Sequence, residues 1–242
     1  MQTWSDTDTP GTFVTGAARL AAATGAFYQI VWIPTARPAE DSIGIQGFKA
    51  EVMTRTNQNI YAVGVKERIH METQGGKGWQ WRRICFTMKG DDITGGNNDP
   101  TSSNYFRITS DGMMRLIHAD SNATVSDLIF EGDQGRDWEN PLQAKVDTRR
   151  VTLKYDKVRT LQSGNESGVS RFFNLWHPMK RNIVYGDEQQ GEDMFHSPLS
   201  TTSKAGMGDY YIVDYFYNNL GSVGGTDDLL FQSNATFYWH EK

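Results

Sequence analysis

The side chains that most often carry catalysis or bind metals are few in this sequence, and they are scattered. The five histidines lie more than four residues from one another, and none pairs with a cysteine at the spacing of a zinc site. The single cysteine, Cys85, lies between Ile84 and Phe86, a setting that favours a buried, unreactive thiol. The sequence therefore predicts no metal site, no cofactor and no cysteine nucleophile.

Two glycine-rich stretches share letters with phosphate-binding loops. Residues 75–78 contain a lysine, but the Ser or Thr that should follow it and the helix behind it are missing. Residues 206–208 lack the third glycine and the strand–helix surroundings of a dinucleotide site. We interpret both stretches as turns.

Adjacent carboxylates are the remaining candidates for acid–base chemistry. A glycosidase needs two carboxylates at a defined separation across a cleft, whereas each pair here lies in a predicted loop, where solvated charge is the ordinary explanation. Calcium binding by one pair remains an alternative. We therefore expect no catalytic residues and no enzymatic activity. The four pairs are Asp91-Asp92, Asp187-Glu188, Glu192-Asp193 and Asp227-Asp228.

Basic residues occur in short clusters with aromatic residues nearby in sequence. Such a combination can bind single-stranded nucleic acid through phosphate contacts and base stacking. The alternative is that the aromatic residues belong to the core and that the charges form salt bridges at sheet edges or between subunits. For the aromatic residues the core is favoured; for the charges both alternatives stay open. The residues predicted to contact nucleic acid are Arg82, Arg83, Lys154, Arg171, Lys180 and Arg181.

The composition indicates which elements would position such residues. Aromatic residues make up 12% of the 242 residues, with 24 Gly but only 7 Pro, which is typical of a sheet-rich chain with many loops. No apolar run approaches the ~18–20 residues that span a bilayer. The polar first sixteen residues resemble neither a signal peptide nor a transit peptide. We expect one domain over residues 1–242 and no membrane partner.

Period-two patterns predict short strands throughout the chain. In residues 61–72 the odd-numbered apolar side chains share one face and the even-numbered charged ones the other. In residues 79–89 both parities are apolar, so either a bulge near Arg82 and Arg83 flips the register or both faces are covered, the outer one by a neighbouring subunit. Residues 210–217 show the same excess of apolar residues.

Further strands are predicted at 27–33, 105–108, 113–118, 150–162, 170–176 and 235–240, with one short helix at 125–130. Eight or more strands, long loops and one helix predict an all-β fold, a single jelly-roll β-sandwich with eight main strands in two antiparallel sheets. In the last strand, Phe237 and Trp239 should share the buried face and Tyr238 the other. We expect the core or assembly contacts to include Trp79, Trp81, Trp176, Phe237 and Trp239.

Five stretches together resemble, in order and spacing, the capsid proteins of the genomoviruses, small viruses with circular single-stranded DNA that are related to geminiviruses. The resemblance covers roughly residues 61–242. The stretches read WQWRRICFTMKG from residue 79, KYDKVRTLQSGNESG from 154, NLWHPMKRNIVYGDE from 174, KAGMGDYYIVDYF from 204 and ATFYWHEK from 235.

The resemblance implies a jelly-roll subunit without enzymatic activity that forms a small icosahedral (T=1) shell of sixty copies around single-stranded DNA. It also implies localisation in the virion and, during assembly, in the nucleus of a fungal host. Such proteins begin with an arm rich in Arg and Lys, which neutralises packaged DNA. Here the first seventy residues hold only Arg19, Arg37, Lys49, Arg55, Lys66 and Arg68.

The acidic balance of the chain bears directly on DNA packaging. The net charge is −5, so sixty copies would carry about −300 charges and would repel a polyanion. We therefore expect a basic arm, absent from this sequence, to supply most of the neutralisation, with the basic clusters lining the inner surface. Two other functional classes remain as alternatives: a sandwich-fold carbohydrate-binding (lectin-like) module and a jelly-roll enzyme.

Overall fold

The structure is a computed structural model that describes residues 1–40, 45, 54–96, 99, 101–109, 112–119, 123–191 and 193–241. Strands dominate these residues, and a single helix accompanies them. The elements are β1 (Thr3–Ser5), β2 (Val14–Thr15), β3 (Ala18–Leu20), β4 (Phe27–Trp32), β5 (Asn59–Thr73), β6 (Trp79–Met88), β7 (Arg107–Thr109), β8 (Gly112–Ile117), α1 (Ala123–Ile129), β9 (Thr152–Leu161), β10 (Val169–Val184), β11 (Glu188–Gln190), β12 (Asp193–Phe195), β13 (Asp209–Asn218) and β14 (Leu229–Glu241).

Eight of these strands form two four-stranded antiparallel sheets. The first sheet has the order β10-β5-β14-β3 and the second the order β4-β13-β6-β9. Numbered along the chain, the eight main strands therefore pair as 1-8-3-6 and 2-7-4-5, which is the order of a jelly roll. The predicted all-β jelly-roll sandwich is confirmed.

A smaller sheet, β2-β1-β8-β7, lies beside the β3 and β4 edges of the two main sheets. The first residue belongs to this closure, since the Met1 amino group donates to the Ala235 carbonyl at 2.7 Å and the Ala235 N–H donates back to the Met1 carbonyl. On the opposite side, β9 and β10 end their sheets, and no described strand pairs with their outer edges. The sandwich is thus closed on one side and open on the other.

In the second sheet, the central strands β6 and β13 are buried on both faces. Trp79, Trp81 and Cys85 of β6 point toward the first sheet, while Ile84 and Phe86 of β6 point the other way, and all five are fully buried. The register of β6 with β13 is regular throughout, so no bulge flips β6 near Arg82 and Arg83. The outer cover is α1 with residues 130–151 of the same chain, contributing chiefly Val125, Ile129, Phe130, Leu142, Val146 and Val151. The expected cover by a neighbouring subunit is wrong.

The first sheet differs from the sequence prediction near its end. In β5, Val65, Ile69 and Met71 are buried as predicted, but the pairing with β14 skips Val63, and Ala62 becomes the buried residue. Tyr61 therefore turns to the outer face, against the prediction. All nine predicted strands are found, and the helix lies at Ala123–Ile129, two residues ahead of its predicted start.

Candidate nucleic-acid interface

Arg83, one of the predicted phosphate contacts, lies at the centre of the sandwich. Its guanidinium binds Asp214 of β13 through two hydrogen bonds of 2.7 Å and also forms a salt bridge with Glu67 of β5. Arg115 of β8 bridges the same two carboxylates, at 3.0 Å to Asp214. All four side chains are 0% exposed. They form a closed cluster of two positive and two negative groups.

Neighbouring polar groups complete this buried cluster. The Trp81 indole N–H donates to Asp214 at 2.7 Å, and the Ser233 hydroxyl donates to Glu67 at 2.7 Å. Burial alone would raise the pKa of Asp214, but the guanidinium groups of Arg83 and Arg115 hold it below its usual value. Asp214 is therefore ionised within the cluster, and the prediction that Arg83 meets phosphate is wrong, because its side chain is 0% exposed.

Arg82 points to the opposite face of β6 and is 5% exposed. Its guanidinium forms two hydrogen bonds with Asp156 of β9, at 2.7 and 2.9 Å, and donates to the carbonyls of Pro141 and Ala144. Arg82 thus holds the covering segment against the sheet. The expected phosphate contact of Arg82 is wrong, because the side chain is buried and all three guanidinium nitrogens donate to groups of the same chain.

The other predicted basic residues stay at the surface. Arg171, Lys180 and Arg181 lie on β10, and Lys154 lies on β9, so all four occupy the open edge of the sandwich. Lys180 sits where β10 shifts its register with β5, and its backbone has a positive φ of 50°. None of the four forms a salt bridge with a described residue. Their contact with DNA stays a prediction.

The predicted core aromatic residues divide into two groups. Trp79, Trp81 and Phe237 are buried, and Trp239 is half-buried on the same face as Phe237, as predicted. Trp176, in contrast, is 47% exposed on the outer face of the first sheet, so it does not belong to the core, and its part in assembly contacts stays a prediction.

The outer face of the first sheet carries the exposed aromatic residues. Its side chains form rows across β14, β5 and β10, because residues opposite each other in register point to the same side. We call this surface the open face. Its rows are Gln232–His70–Phe172, Asn234–Arg68–Asn174, Thr236–Lys66–Trp176, Tyr238–Gly64–Pro178 and His240–Tyr61–Asn182.

One end of the open face is built around Phe172, which is 58% exposed. The His70 ring stacks on Phe172 with a centroid separation of 4.4 Å and an angle of 12°. The Arg68 guanidinium lies 5.2 Å from the same ring centroid. The His70 ring also hydrogen-bonds the Ser170 hydroxyl at 2.8 Å, which fixes its orientation.

The other end of the open face is built around Trp176, whose position depends on the lack of a side chain at Gly64. A Cβ at position 64 would lie 2.7 and 2.9 Å from two ring atoms of Trp176, so the indole lies across the bare backbone of β5. It thereby reaches Tyr238 on β14, with ring centroids 5.9 Å apart. A groove of about 590 Å³ runs beside the two rings and is also lined by Lys66.

The charge of the open face is opposite in sign to that of the chain. Lys66 and Arg68 are exposed, and neither forms a salt bridge with a described residue. In the five rows, all within the described strands, no side chain is acidic; Glu72 lies one row beyond them. Sequence reasoning missed Arg68, Lys66, His70 and Tyr238, although the alternation in residues 61–72 had already put Lys66, Arg68 and His70 on one face.

The carboxylate pairs have mainly structural partners. Asp228 accepts hydrogen bonds from Arg19 and from the backbone N–H of Ala22, and Asp227 accepts one from the Val223 N–H. Asp187 forms a salt bridge with Arg55. The expectation of solvated charge is wrong for these three, since each fixes a loop; Asp91 and Asp92 are exposed, and Glu192 lies outside the described residues. Among the residues with described positions, no three His, Cys, Asp or Glu side chains are grouped as metal ligands.

Cys85 is fully buried, as predicted, and burial raises the pKa of its thiol to about 12. No helix in the described ranges is long and apolar enough to cross a membrane. No protein-family model and no curated protein matches the chain. The likeness to genomovirus capsid proteins therefore stays a prediction.

Proposed function

We propose that this chain is a structural capsid protein, which self-assembles into a small icosahedral shell around single-stranded DNA. The fold supports this proposal, because jelly rolls with this strand order build many viral shells. The five ordered stretches in the sequence support it as well. The buried charges of the sandwich are paired with one another, and its described residues contain no group of His, Cys, Asp or Glu side chains arranged as metal ligands. These features are compatible with a structural subunit.

The observation that carries the proposal is the open edge formed by β9 and β10. These strands contain 10 and 16 residues, and they end the two sheets on the same side of the sandwich. An uncovered edge of this length exposes backbone N–H and C=O groups to other chains. On β9, Val158 is 46% and Leu153 36% exposed. Contact with further copies would cover both features.

The edge also limits how a second copy could bind. Lys154 and Lys157 on β9 and Pro178 on β10 discourage the continuous addition of a strand from another chain. Side-by-side packing through apolar side chains fits this edge better. Closed shells, unlike fibrils, need such a limited contact.

Electron microscopy of the purified protein tests the proposal, and closed shells or shell fragments are the expected result. Val158→Asp should abolish shells while the subunit stays folded. Val14→Asp is the matched control, because Val14 is 53% exposed on the closed side of the sandwich. Light scattering that shows a stable monomer at every protein and salt concentration would contradict the proposal.

A lectin-like module is the second candidate, and one observation favours it. Trp176 and Tyr238 are exposed rings beside a groove, and sugar rings also stack on exposed aromatic side chains. The unpaired cations Lys66 and Arg68 are not needed for a neutral sugar, so they favour an anionic ligand. Binding of neutral oligosaccharides by a stable monomer would support the lectin instead.

A further inference from the structure

We propose that the open face is a base-stacking platform for single-stranded nucleic acid, an inference that deepens the proposed capsid function and rests on it for the source of the strand. Bases would stack on the Trp176–Tyr238 pair and on Phe172, and Lys66 and Arg68 would contact the phosphates. Base stacking on exposed aromatic rings, combined with cations that follow the backbone, is the general mode of sequence-independent single-strand binding.

The arrangement of rings and cations fits an extended strand. Phe172 and Trp176 are four residues apart on β10, about 13 Å along the strand. Arg68 lies in the one row between them, and Lys66 lies in the same row as Trp176. A single strand running along β10 would therefore meet the Phe172 ring, then Arg68, and then the Trp176 ring with Lys66 beside it. Arg171 and Arg181 lie opposite the buried residues Met71 and Ala62, so they do not belong to the open face.

The rings favour a single strand over a duplex. In a duplex the bases stack on each other, and their faces are not accessible to protein side chains. Phe172 and Trp176, at 58% and 47% exposure, would gain little from a duplex surface, whereas each can bury its ring against an unstacked base. The platform should therefore discriminate between the two forms of DNA.

Charge complementarity favours nucleic acid over a second copy of the chain. The five rows contain two cations that form no salt bridge with a described residue, in a chain of net charge −5. Two copies meeting through this face would bring the cations together, at a cost in electrostatic energy. Asn174, Asn234 and Thr236 between the rings also make the surface too polar for a permanent apolar interface.

Gly64 is the positioning residue of the platform. A Cβ at position 64 would meet the Trp176 ring and also the His177 carbonyl at 2.6 Å, so any side chain there must displace the ring and disturb the pairing of β5 with β10. Gly64→Val should then separate Trp176 from Tyr238 and narrow the groove between them. The platform would lose one stacking site although no aromatic residue or charge had been removed.

The test measures binding of the full chain to a labelled oligodeoxythymidine of about 12 nucleotides by fluorescence anisotropy. Phe172→Ala and Trp176→Ala should each weaken binding roughly 5- to 150-fold, and Trp176→Phe should restore most of the loss. Phe195→Ala is the matched control, since Phe195 is 55% exposed on β12, outside the open face. The affinity of Phe195→Ala for the oligonucleotide should equal that of the parent protein. The parent protein should bind a duplex of the same length more weakly.

Salt dependence tests the two cations separately. Lys66→Ala and Arg68→Ala should each reduce the slope of log affinity against log salt by about 0.7, whereas Lys157→Ala on β9 should leave it unchanged. Equal affinities for Phe172→Ala, Trp176→Ala and Phe195→Ala would overturn the proposal. The proposal would also be overturned if Phe172→Ala and Trp176→Ala lost self-association or sugar binding while their DNA binding stayed unchanged.

Shell formation is scored independently by electron microscopy of the same variants. Shells that form with unaltered oligonucleotide binding in Phe172→Ala and Trp176→Ala would overturn the platform and leave the capsid function standing. Platform-dependent binding by a protein that never forms shells would overturn the capsid function and leave the platform standing.

Discussion

The outer faces of the two main sheets are built in opposite ways. On the second sheet, Phe86 and Val213 are buried beneath Phe130 and the rest of the covering segment. On the first sheet, Phe172 and Trp176 are exposed beside Lys66 and Arg68, which form no salt bridge with a described residue. Both faces contain aromatic residues, but among the described residues only the second sheet has a cover supplied by its own chain.

A strand with apolar residues on both faces can therefore be covered by its own chain or can expose a surface to a partner. In β6 that pattern had suggested contact with a neighbouring subunit, yet α1 and residues 130–151 satisfy it within the chain. In β10 the outer aromatic residues alternate with polar ones, and the strand has no cover among the described residues. Surfaces that remain for partners are thus found where apolar and charged residues mix.

Deletion of residues 235–242 should have the largest effect, because the alternate side chains of β14 contribute to the core and to the open face. The strand lies between β5 and β3 and pairs with β5 along its whole length. The deletion removes Phe237, which is buried, and Trp239, which is half-buried. Loss of one fully buried aromatic side chain costs ~3–5 kcal/mol, and the net stability of a folded protein is of the order of 5–15 kcal/mol. We expect no soluble folded protein, checked by expression yield and circular dichroism.

Tyr238→Ala is the control for this deletion. Tyr238 belongs to the same strand but is 44% exposed on the open face, so the variant should fold. A truncated chain that is soluble and assembles would show that the end of β14 is dispensable.

Arg83→Met should destabilise the fold by ~3–5 kcal/mol, since it leaves Glu67 and Asp214 with one cation between them in the buried cluster. Arg171→Met, at the exposed edge, should change the free energy of unfolding by no more than about 0.5 kcal/mol. Urea unfolding of both variants measures the difference. Similar midpoints would mean that the cluster is hydrated and that Arg83 is accessible after all.

Phe130→Ala and Phe172→Ala compare the two outer faces directly. Phe130 is 1% exposed and packs against Trp138 and Tyr215, so its truncation should cost ~3–5 kcal/mol. Phe172→Ala should stay within about 0.5 kcal/mol of the parent. The comparison fails if the two variants unfold at the same urea concentration.

The strands that sequence reasoning found are those with their own periodicity. Period-two patterns located β5, β6 and β13 to within a few residues, and the aromatic terminus located β14. The short strands β1, β2 and β3 were missed, because two or three residues carry no period and their pairing depends on distant partners. The extension of β10 beyond Pro178 was missed as well; an edge strand tolerates proline because its outer N–H needs no partner.

The site was harder to predict, because sequence does not show which face of a strand is covered. Arg82 and Arg83 are adjacent, so they point to opposite faces, and each was buried for a different reason. Lys66, Arg68 and His70 were correctly placed on one face of β5, but the aromatic residues beside them come from β10 and β14. The register that joins these strands, and the role of Gly64, exist only in the folded chain.

The smallest expected effect concerns two buried carboxylates on β13 that differ in their partners. Asp214 forms salt bridges with two arginines. The described partners of Asp209 are all neutral: the Ser200 N–H and hydroxyl donate to it at 2.8 and 2.7 Å, and the Thr35 hydroxyl donates at 3.3 Å. Burial raises the pKa of Asp209 to about 6, against the opposing effect of these donors. The folded protein therefore keeps a proton that the unfolded chain has already lost between pH ~4 and ~6.

The sign of the pH dependence follows from this difference in bound protons. Because the folded state binds the extra proton, the free energy of unfolding should fall as pH rises from about 4 to about 6, by at most ~3 kcal/mol, and then level off. Asp209→Asn should remove this contribution, so the stability of the parent relative to Asp209→Asn should decline across the window. Ser200→Ala, which deletes one donor to the ionised form, should move the decline to higher pH. Urea titrations at several pH values measure all three proteins, and parallel curves for the parent and Asp209→Asn would show that Asp209 is as well compensated as Asp214.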